Sequence, residues 1–190
     1  VLGPHLMVWS AALFIKEKNS EKIVSWHQDL TYWGLDDIQE TTCWFALSEA
    51  SEEAGCMKFV PGTHKTKIVE HIDTFAENNL LTRGQEIAVD VNESEAVAAA
   101  LSAGQASMHH GLLFHSSGPN KTDHRRIGSA IRYIKPSMKQ DTGDLSLVTL
   151  VSGQDHFNNF KIANPPNGRL LEEEFDLCRE DNKLKQKLLF

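Results

Sequence analysis

Along the chain, short stretches rich in β-branched and aromatic residues alternate with clusters of Gly, Pro, Asn and Asp. This punctuation predicts a mainly β architecture, because extended segments end where such residues turn the backbone. The predicted strands cover residues 7–16, 41–49, 55–60, 86–91, 106–114, 127–134 and 146–151. In the sixth of these, Ile127, Ser129, Ile131 and Tyr133 fall on one face, and Gly128, Ala130, Arg132 and Ile134 on the other. Two such different sides suit the wall of a barrel or sandwich with one face lining a cavity.

Helical signals are fewer. In "NESEAVAAALSAG", an Asn92 cap with Glu95 three residues on favours a short helix. Val97 and Leu101 equally suit a strand before the Ala103-Gly104 turn, so both outcomes stay open. Near the end, Leu171, Phe175, Cys178, Leu184 and Leu188 form an apolar stripe at helical spacing. It predicts a C-terminal helix within residues 169–190, packed on the barrel. Between His64 and Gln85 runs a polar connection too long for a turn, as expected of a lid or binding loop. No repeat, low-complexity tract or linker divides the chain, and a single domain over 1–190 is expected. The chain opens inside what reads as a structured segment, so an N-terminal piece, with any targeting signal, is expected to lie outside it.

Composition narrows the function classes. With 190 residues and 41% apolar content, the chain can bury one sizeable core. A formal charge of −7 argues against nucleic acid or an anionic membrane as partner. The one dense basic cluster is His124-Arg125-Arg126. Cys43, Cys56 and Cys178 are odd in number and show no C-x-x-C spacing, which points to a reducing, cytoplasmic setting. No apolar run reaches the roughly 20 residues needed to cross a bilayer. Two glycosylation sequons, at Asn92 and Asn120, are short enough to arise by chance and are not expected to be used.

The candidate chemistry begins in "SWHQDLTYWGL". On a strand, His27 and Asp29 would point to one side and offer an imidazole nitrogen and a carboxylate oxygen to one point. Alone, H-x-D is better explained as a hydrogen-bonded surface pair. A second cluster, "SMHHGLLFHSSGPNKTDHRR", adds His109, His110 and His115. Two histidines and a carboxylate occupy one face of an octahedral iron and leave positions open. His109 and His115 share strand parity if the strand is unbroken, and the place of His115 beside a turn favours it as third ligand.

"WHQDLTYWG", "GCMKFVPGTHK" and "HSSGPNKTDHRR" resemble, in order and spacing, the phytanoyl-CoA dioxygenase family of iron(II)- and 2-oxoglutarate-dependent oxygenases. The similarity covers roughly residues 8–136. It implies a double-stranded β-helix, also called a jelly roll and related to the cupin barrel, with flanking helices. It implies that His27, Asp29 and His115 hold Fe(II), and that Arg126 pairs with the distal carboxylate of 2-oxoglutarate. A permanently charged, bidentate guanidinium suits that task. Ser117, Gln28 and Trp44 match positions lining the cosubstrate pocket in relatives. The implied reaction consumes O2 and 2-oxoglutarate, releases succinate and CO2, and hydroxylates an unactivated C–H bond of a small molecule. Related halogenases replace the carboxylate ligand by a small residue, so the retained Asp29 implies hydroxylation.

Other residues carry plainer expectations. Pro61-Gly62 should form a turn tied down by Thr63 or His64. His71, His124 and His156 read as solvated loop histidines, and Tyr32 and Trp33 as candidates for the pocket wall. Asp36-Asp37 and Glu172-Glu173-Glu174 read as exposed acidic faces. Two rival functions use the same residues. A metal-dependent hydrolase or isomerase on a cupin-like barrel leaves Arg126 without a task, and a non-catalytic ligand-binding barrel should have lost a metal ligand. Substrate identity and oligomeric state have no signature in the sequence.

Overall fold

The computed structural model describes residues 1–169 and 171–187. Among the described residues, twelve strands run in the order β1 (Leu6–Lys16), β2 (Val24–His27), β3 (Glu40–Ala46), β4 (Met57–Phe59), β5 (His71–Asp73) and β6 (Gln85–Ile87), then β7 (Val97–Ala99), β8 (Ala106–His109), β9 (His115–Ser117), β10 (Arg126–Ile134), β11 (Leu147–Ser152) and β12 (Lys161–Ile162). One α-helix, α1 (Glu172–Gln186), follows. Three short 3-10 turns occupy Asp29–Tyr32, Thr63–Lys65 and Glu93–Glu95.

The strands form a six-stranded sheet, β12-β11-β1-β10-β3-β8, a four-stranded sheet, β2-β9-β4-β7, and the β5-β6 hairpin. This is the expected jelly roll. By contacts the chain forms two compact units. The larger contains residues 11–31 and 42–131, and the smaller residues 1–10, 32–41 and those from Arg132 on. Strands β1, β3 and β10 run through both.

Within the larger unit the core lies between the two sheets. Trp44 and Ala46 from β3 and Ala130 from β10 meet Met57 from β4, with Cys56 and Ala50, and Phe14, Phe59 and Ala98 close its edges. Strand β10 alternates as predicted, burying Arg126, Gly128 and Ala130 on one face and leaving Ile127, Ser129 and Ile131 half-buried on the other. A second apolar cluster of Val60, Ile87 and Phe114, with Trp26, Val69 and Val91 against it, anchors the long connection after His64.

Three outcomes matter for function, the first two of them departures from the sequence-based expectation. The strand predicted over 106–114 is interrupted: β8 ends at His109, a turn follows, and β9 starts at His115 in the other sheet. Second, Asp29 does not lie on a strand with His27, because β2 ends at His27 and Asp29 opens a 3-10 turn. Third, the open choice at 92–104 resolves into a 3-10 turn, with Asn92 accepting from the Ser94 N–H, followed by β7. The sequon asparagine Asn120 is 1% exposed, and both ends of its amide are hydrogen-bonded, so glycosylation there is incompatible with this fold.

In the smaller unit, Trp33 is buried against Trp9, with ring centroids 5.1 Å apart, and the Arg132 guanidinium lies over its ring. Helix α1 joins this unit through polar contacts. Asp181 accepts from the Leu147 N–H at 2.6 Å, and Lys185 donates to the Trp9 carbonyl at 2.8 Å. Leu188, the last residue of the predicted stripe, lies outside the described residues. No helix among the described residues is long and apolar enough to cross a membrane.

Candidate functional site

The pairing of β2 with β9 sets His27 directly opposite His115, and β4 pairs Phe59 with His115 from the other side. Cross-strand partners project their side chains to one face, so the two imidazoles stand together, with ring centroids 4.0 Å apart. The 3-10 turn after β2 swings Asp29 toward the same point: Oδ1 lies 3.5 Å from His27 Nε2 and 4.0 Å from His115 Nε2. One ligand atom from each of these three buried residues lies within 4.8 Å of the others, a spacing that one metal ion can bridge.

The surroundings prepare these atoms for a cation. His27 Nδ1–H donates to the Ser25 carbonyl and His115 Nδ1–H to the Leu113 carbonyl, both at 2.9 Å. These bonds fix the tautomer that leaves Nε2 free to ligate. Burial, reinforced by the His27 imidazole, holds the His115 pKa well below the usual histidine range, so its ring is neutral as a ligand must be. From the six-stranded sheet, Thr42 Oγ1 lies 3.4 Å from Asp29 Oδ2 and His109 Nε2 lies 3.9 Å from that same oxygen. His109 is buried and packs against Phe59 and His115, with ring centroids 5.1 and 4.7 Å away. His110 lies outside this group and accepts from the Leu112 N–H in the turn.

A second feature is cationic. Arg126 is 2% exposed, with its guanidinium 5.3 Å over the Trp44 ring. Its Nε is buried without a hydrogen-bond partner, and burial pushes its pKa down to about 10. Arg125, one residue earlier, turns outward and pairs with Glu17 at 2.8 Å. Lys16 is 1% exposed and donates to the Ser117 carbonyl at 3.1 Å, to Ser117 Oγ at 2.7 Å and to the Gly118 carbonyl. Burial, with the nearby Arg126 charge, pushes its pKa down to about 7. Among the described residues, neither buried cation has a carboxylate within ion-pair distance. Two desolvated basic groups without an acid partner suit an anionic ligand, which would favour their charged forms.

The sequence-based expectation brought together His27, Asp29, His115, Ser117, Trp44 and Arg126, and all six lie in the larger unit. Gln28 is also buried there, but its side-chain amide bonds to the backbone of Lys67, Val69 and Leu112. Lys16 was missed. The available signal was parity, since it shares a strand face with the inward Phe14. His71, expected in solvent, is half-buried and accepts from the Gln28 N–H at 3.1 Å. His64 and His124 keep partial or full exposure, and Thr63 Oγ1 is the group that ties the Pro61-Gly62 turn, donating to Val60 and accepting from Phe114.

Known proteins resemble this chain in sequence and in fold. The phytanoyl-CoA dioxygenase (PhyH) family model matches residues 1–128. The chain is 32% identical over 135 residues to a probable alpha-ketoglutarate-dependent hypophosphite dioxygenase from Stutzerimonas stutzeri, covering 70% of this chain and 46% of that protein. It is 33% identical over 127 residues to peroxisomal phytanoyl-CoA dioxygenase from Homo sapiens, covering 63% of this chain and 37% of that protein. It thus spans less than half the length of either. Among solved structures, the non-heme monooxygenase ThoJ in its apo form superposes with a TM-score of 0.85 at 35% identity, over 98% of this chain and 67% of that one. EvdO2 from Micromonospora carbonacea, complexed with 2-oxoglutarate, gives a TM-score of 0.57 at 26% identity, over 68% of this chain and 54% of that one. With a matching family model over most of its length, the chain belongs to the phytanoyl-CoA dioxygenase family.

Proposed function

We propose that this protein is an Fe(II)- and 2-oxoglutarate-dependent dioxygenase that hydroxylates an unactivated C–H bond of a small molecule and releases succinate and CO2. The observation that carries the reading is the pair of buried basic side chains, Arg126 and Lys16, without an acid partner among the described residues. Lys16 is hydrogen-bonded to Ser117, two residues from His115. A dicarboxylate would neutralise charges that are otherwise costly to bury. In this reading His27, Asp29 and His115 hold Fe(II), which supplies oxygen activation when 2-oxoglutarate is bound. Arg126 takes the distal carboxylate as a bidentate partner, Lys16 adds a second charge, and Trp44 fixes the guanidinium plane. Ser117 Oγ orients the Lys16 ammonium beside that carboxylate. Asp29 fills the third protein position on the metal, which favours hydroxylation over halide transfer. A hydrolase using the same triad leaves both buried cations without a counter-ion.

The test is succinate formation from 2-oxoglutarate with added Fe(II), coupled or uncoupled, in the wild type and in His115→Ala. Turnover in the wild type and its loss in the variant are expected, and a wild type without turnover across a broad substrate panel rejects the proposal. Arg126→Ala should weaken 2-oxoglutarate binding at least about 100-fold, the scale expected when a buried charge loses its partner. Its Fe(II) affinity, read by anaerobic titration, should stay within a few-fold of wild type, and equal loss of both would reject the role given to Arg126.

A further inference from the structure

Gln28 lies between two of the residues assigned to the metal, yet its side chain turns from them into protein and is fully buried. Oε1 accepts from the Val69 N–H at 2.9 Å, and Nε2 donates to the Leu112 carbonyl at 2.9 Å and to the Lys67 carbonyl at 3.3 Å. Leu112 belongs to the turn that delivers His115, whose Nδ1–H bonds to the next carbonyl, that of Leu113. The same turn is tied to the metal loop a second time, by the Leu30 N–H bonding to the Gly111 carbonyl at 3.2 Å. One amide therefore joins the segment carrying His27 and Asp29, the segment carrying His115, and the connection at residues 67–69.

His71 completes the arrangement from the backbone side. Its Nδ1–H donates to the Val69 carbonyl at 2.9 Å, which leaves Nε2 as the acceptor for the Gln28 N–H at 3.1 Å. Thr31 Oγ1 lies 3.5 Å from the same Nδ1. His71 is held in place by pairing with Ile87 across the β5-β6 hairpin. The connection from residue 66 to 87 is in turn laced along β2: Ile23 exchanges backbone hydrogen bonds with Asn78 and Leu80 at 2.8 Å, and Asn79 Nδ2 donates to Ser25 Oγ at 2.8 Å. Val69 and Ile87 pack under it against Trp26, Phe114 and Val60.

We infer that Gln28 and His71 are positioning residues, which lock the three metal ligands into one geometry through the strap at 66–87 and couple strap order to metal binding. This rests on the proposal that His27, Asp29 and His115 hold a metal. The coupling is reciprocal. If an ordered strap favours the liganding geometry, a bound metal favours the ordered strap by the same factor. Groups that orient metal ligands without touching the ion typically change metal affinity about 10–100-fold when removed.

Cobalt(II) serves as the probe, read by its visible d–d spectrum and by amide hydrogen exchange. Cobalt(II) should slow exchange at 66–87 in the wild type by about tenfold, within the usual range of site-to-site coupling. Gln28→Met keeps length and apolar volume and deletes the three side-chain bonds, and His71→Leu deletes the acceptor. Each should weaken cobalt(II) about 10–100-fold and alter its d–d band shape. His71→Gln, whose Oε1 reaches the place of Nε2, should restore affinity and band shape. Cobalt(II) binding to the wild type without added protection at 66–87 overturns the inference and leaves the metal assignment standing. So does wild-type affinity in both folded variants, or an ineffective His71→Gln. Failure of the wild type to bind cobalt(II) at all removes the metal assignment and this inference together.

Discussion

A guanidinium over an indole ring needs a flat shelf, and residue 128 provides room for one. A Cβ added at Gly128 would meet Trp44 at 1.9 Å, with two further ring atoms at 2.4 Å. Gly128 also shares the inward face of β10 with Arg126, so the glycine lets Trp44 lie flat beneath that arginine. This is close approach to a strand, one of the uses of glycine in sheets. Gly128→Ala should displace the ring and destabilise the fold by about 1–3 kcal/mol, the usual cost of overpacking a core. It should also weaken 2-oxoglutarate binding while leaving cobalt(II) binding nearly unchanged. Urea denaturation and two titrations check this, and wild-type stability would mean that the Trp44 contact is not constrained by Gly128.

At the scale of elements, the turn from β9 to β10 joins Ser117 to Arg126, the residues proposed to serve the cosubstrate. Asn120 organises it: Nδ2 donates to the His124 carbonyl at 2.7 Å and the Glu17 carbonyl at 3.0 Å, and Oδ1 accepts from the Thr122 N–H at 3.0 Å. Gly55 presses on the same turn, where a Cβ would lie 2.3 Å from the Gly118 carbonyl oxygen. Asn120→Ala strands several partly buried backbone groups, each costing up to about 1–3 kcal/mol. It should lower the melting temperature and weaken 2-oxoglutarate binding more than cobalt(II) binding; an unchanged melting temperature would show that water replaces the amide. The elements themselves were unequally legible. The alternation of β10 and the length of β1 could be read because one face is buried and the other half-exposed along most of each strand. The break between His109 and His115 could not, because "MHHGLLFH" contains no Pro, Asn or Asp and only Gly111 marks the change of sheet. The grouping of His27, Asp29 and His115 was legible as motif, although the convergence of Asp29 comes from a 3-10 turn and not from strand parity. Lys16 ends an apolar strand and finds Ser117 101 residues away, and Gln28 finds Leu112 84 residues away. Contacts at such separation leave no local trace in composition or periodicity.

For the whole molecule, a formal charge of −7 coexists with two buried cations, and their desolvation should govern how stability depends on pH. The Lys16 ammonium is pushed down to about 7 from its ordinary 10.5, so between these values the unfolded chain holds a proton that the folded chain has released. Stability must then rise with pH across that window, by at most about 1.4 kcal/mol per pH unit for one proton. His115, held well below the usual histidine range, acts in the same direction but only below about pH 6.5. The Cys56 thiol, pushed up by burial, opposes the trend at alkaline pH, so the window in which Lys16 dominates is about pH 7 to 8.5. Lys16→Met should flatten the stability profile there, as measured by urea denaturation of the metal-free protein. A bound dicarboxylate reverses the desolvation cost by favouring the ammonium, so 2-oxoglutarate binding near pH 8.5 should take up as much as about one proton per site. Calorimetric titrations in two buffers of different ionisation enthalpy read that uptake directly. Uptake in the wild type and its absence in Lys16→Met would identify Lys16 as the group that links cosubstrate to protons. A pH-independent stability together with zero uptake would mean that Lys16 is already charged in the metal-free fold, held by its bonds to Ser117 and Gly118.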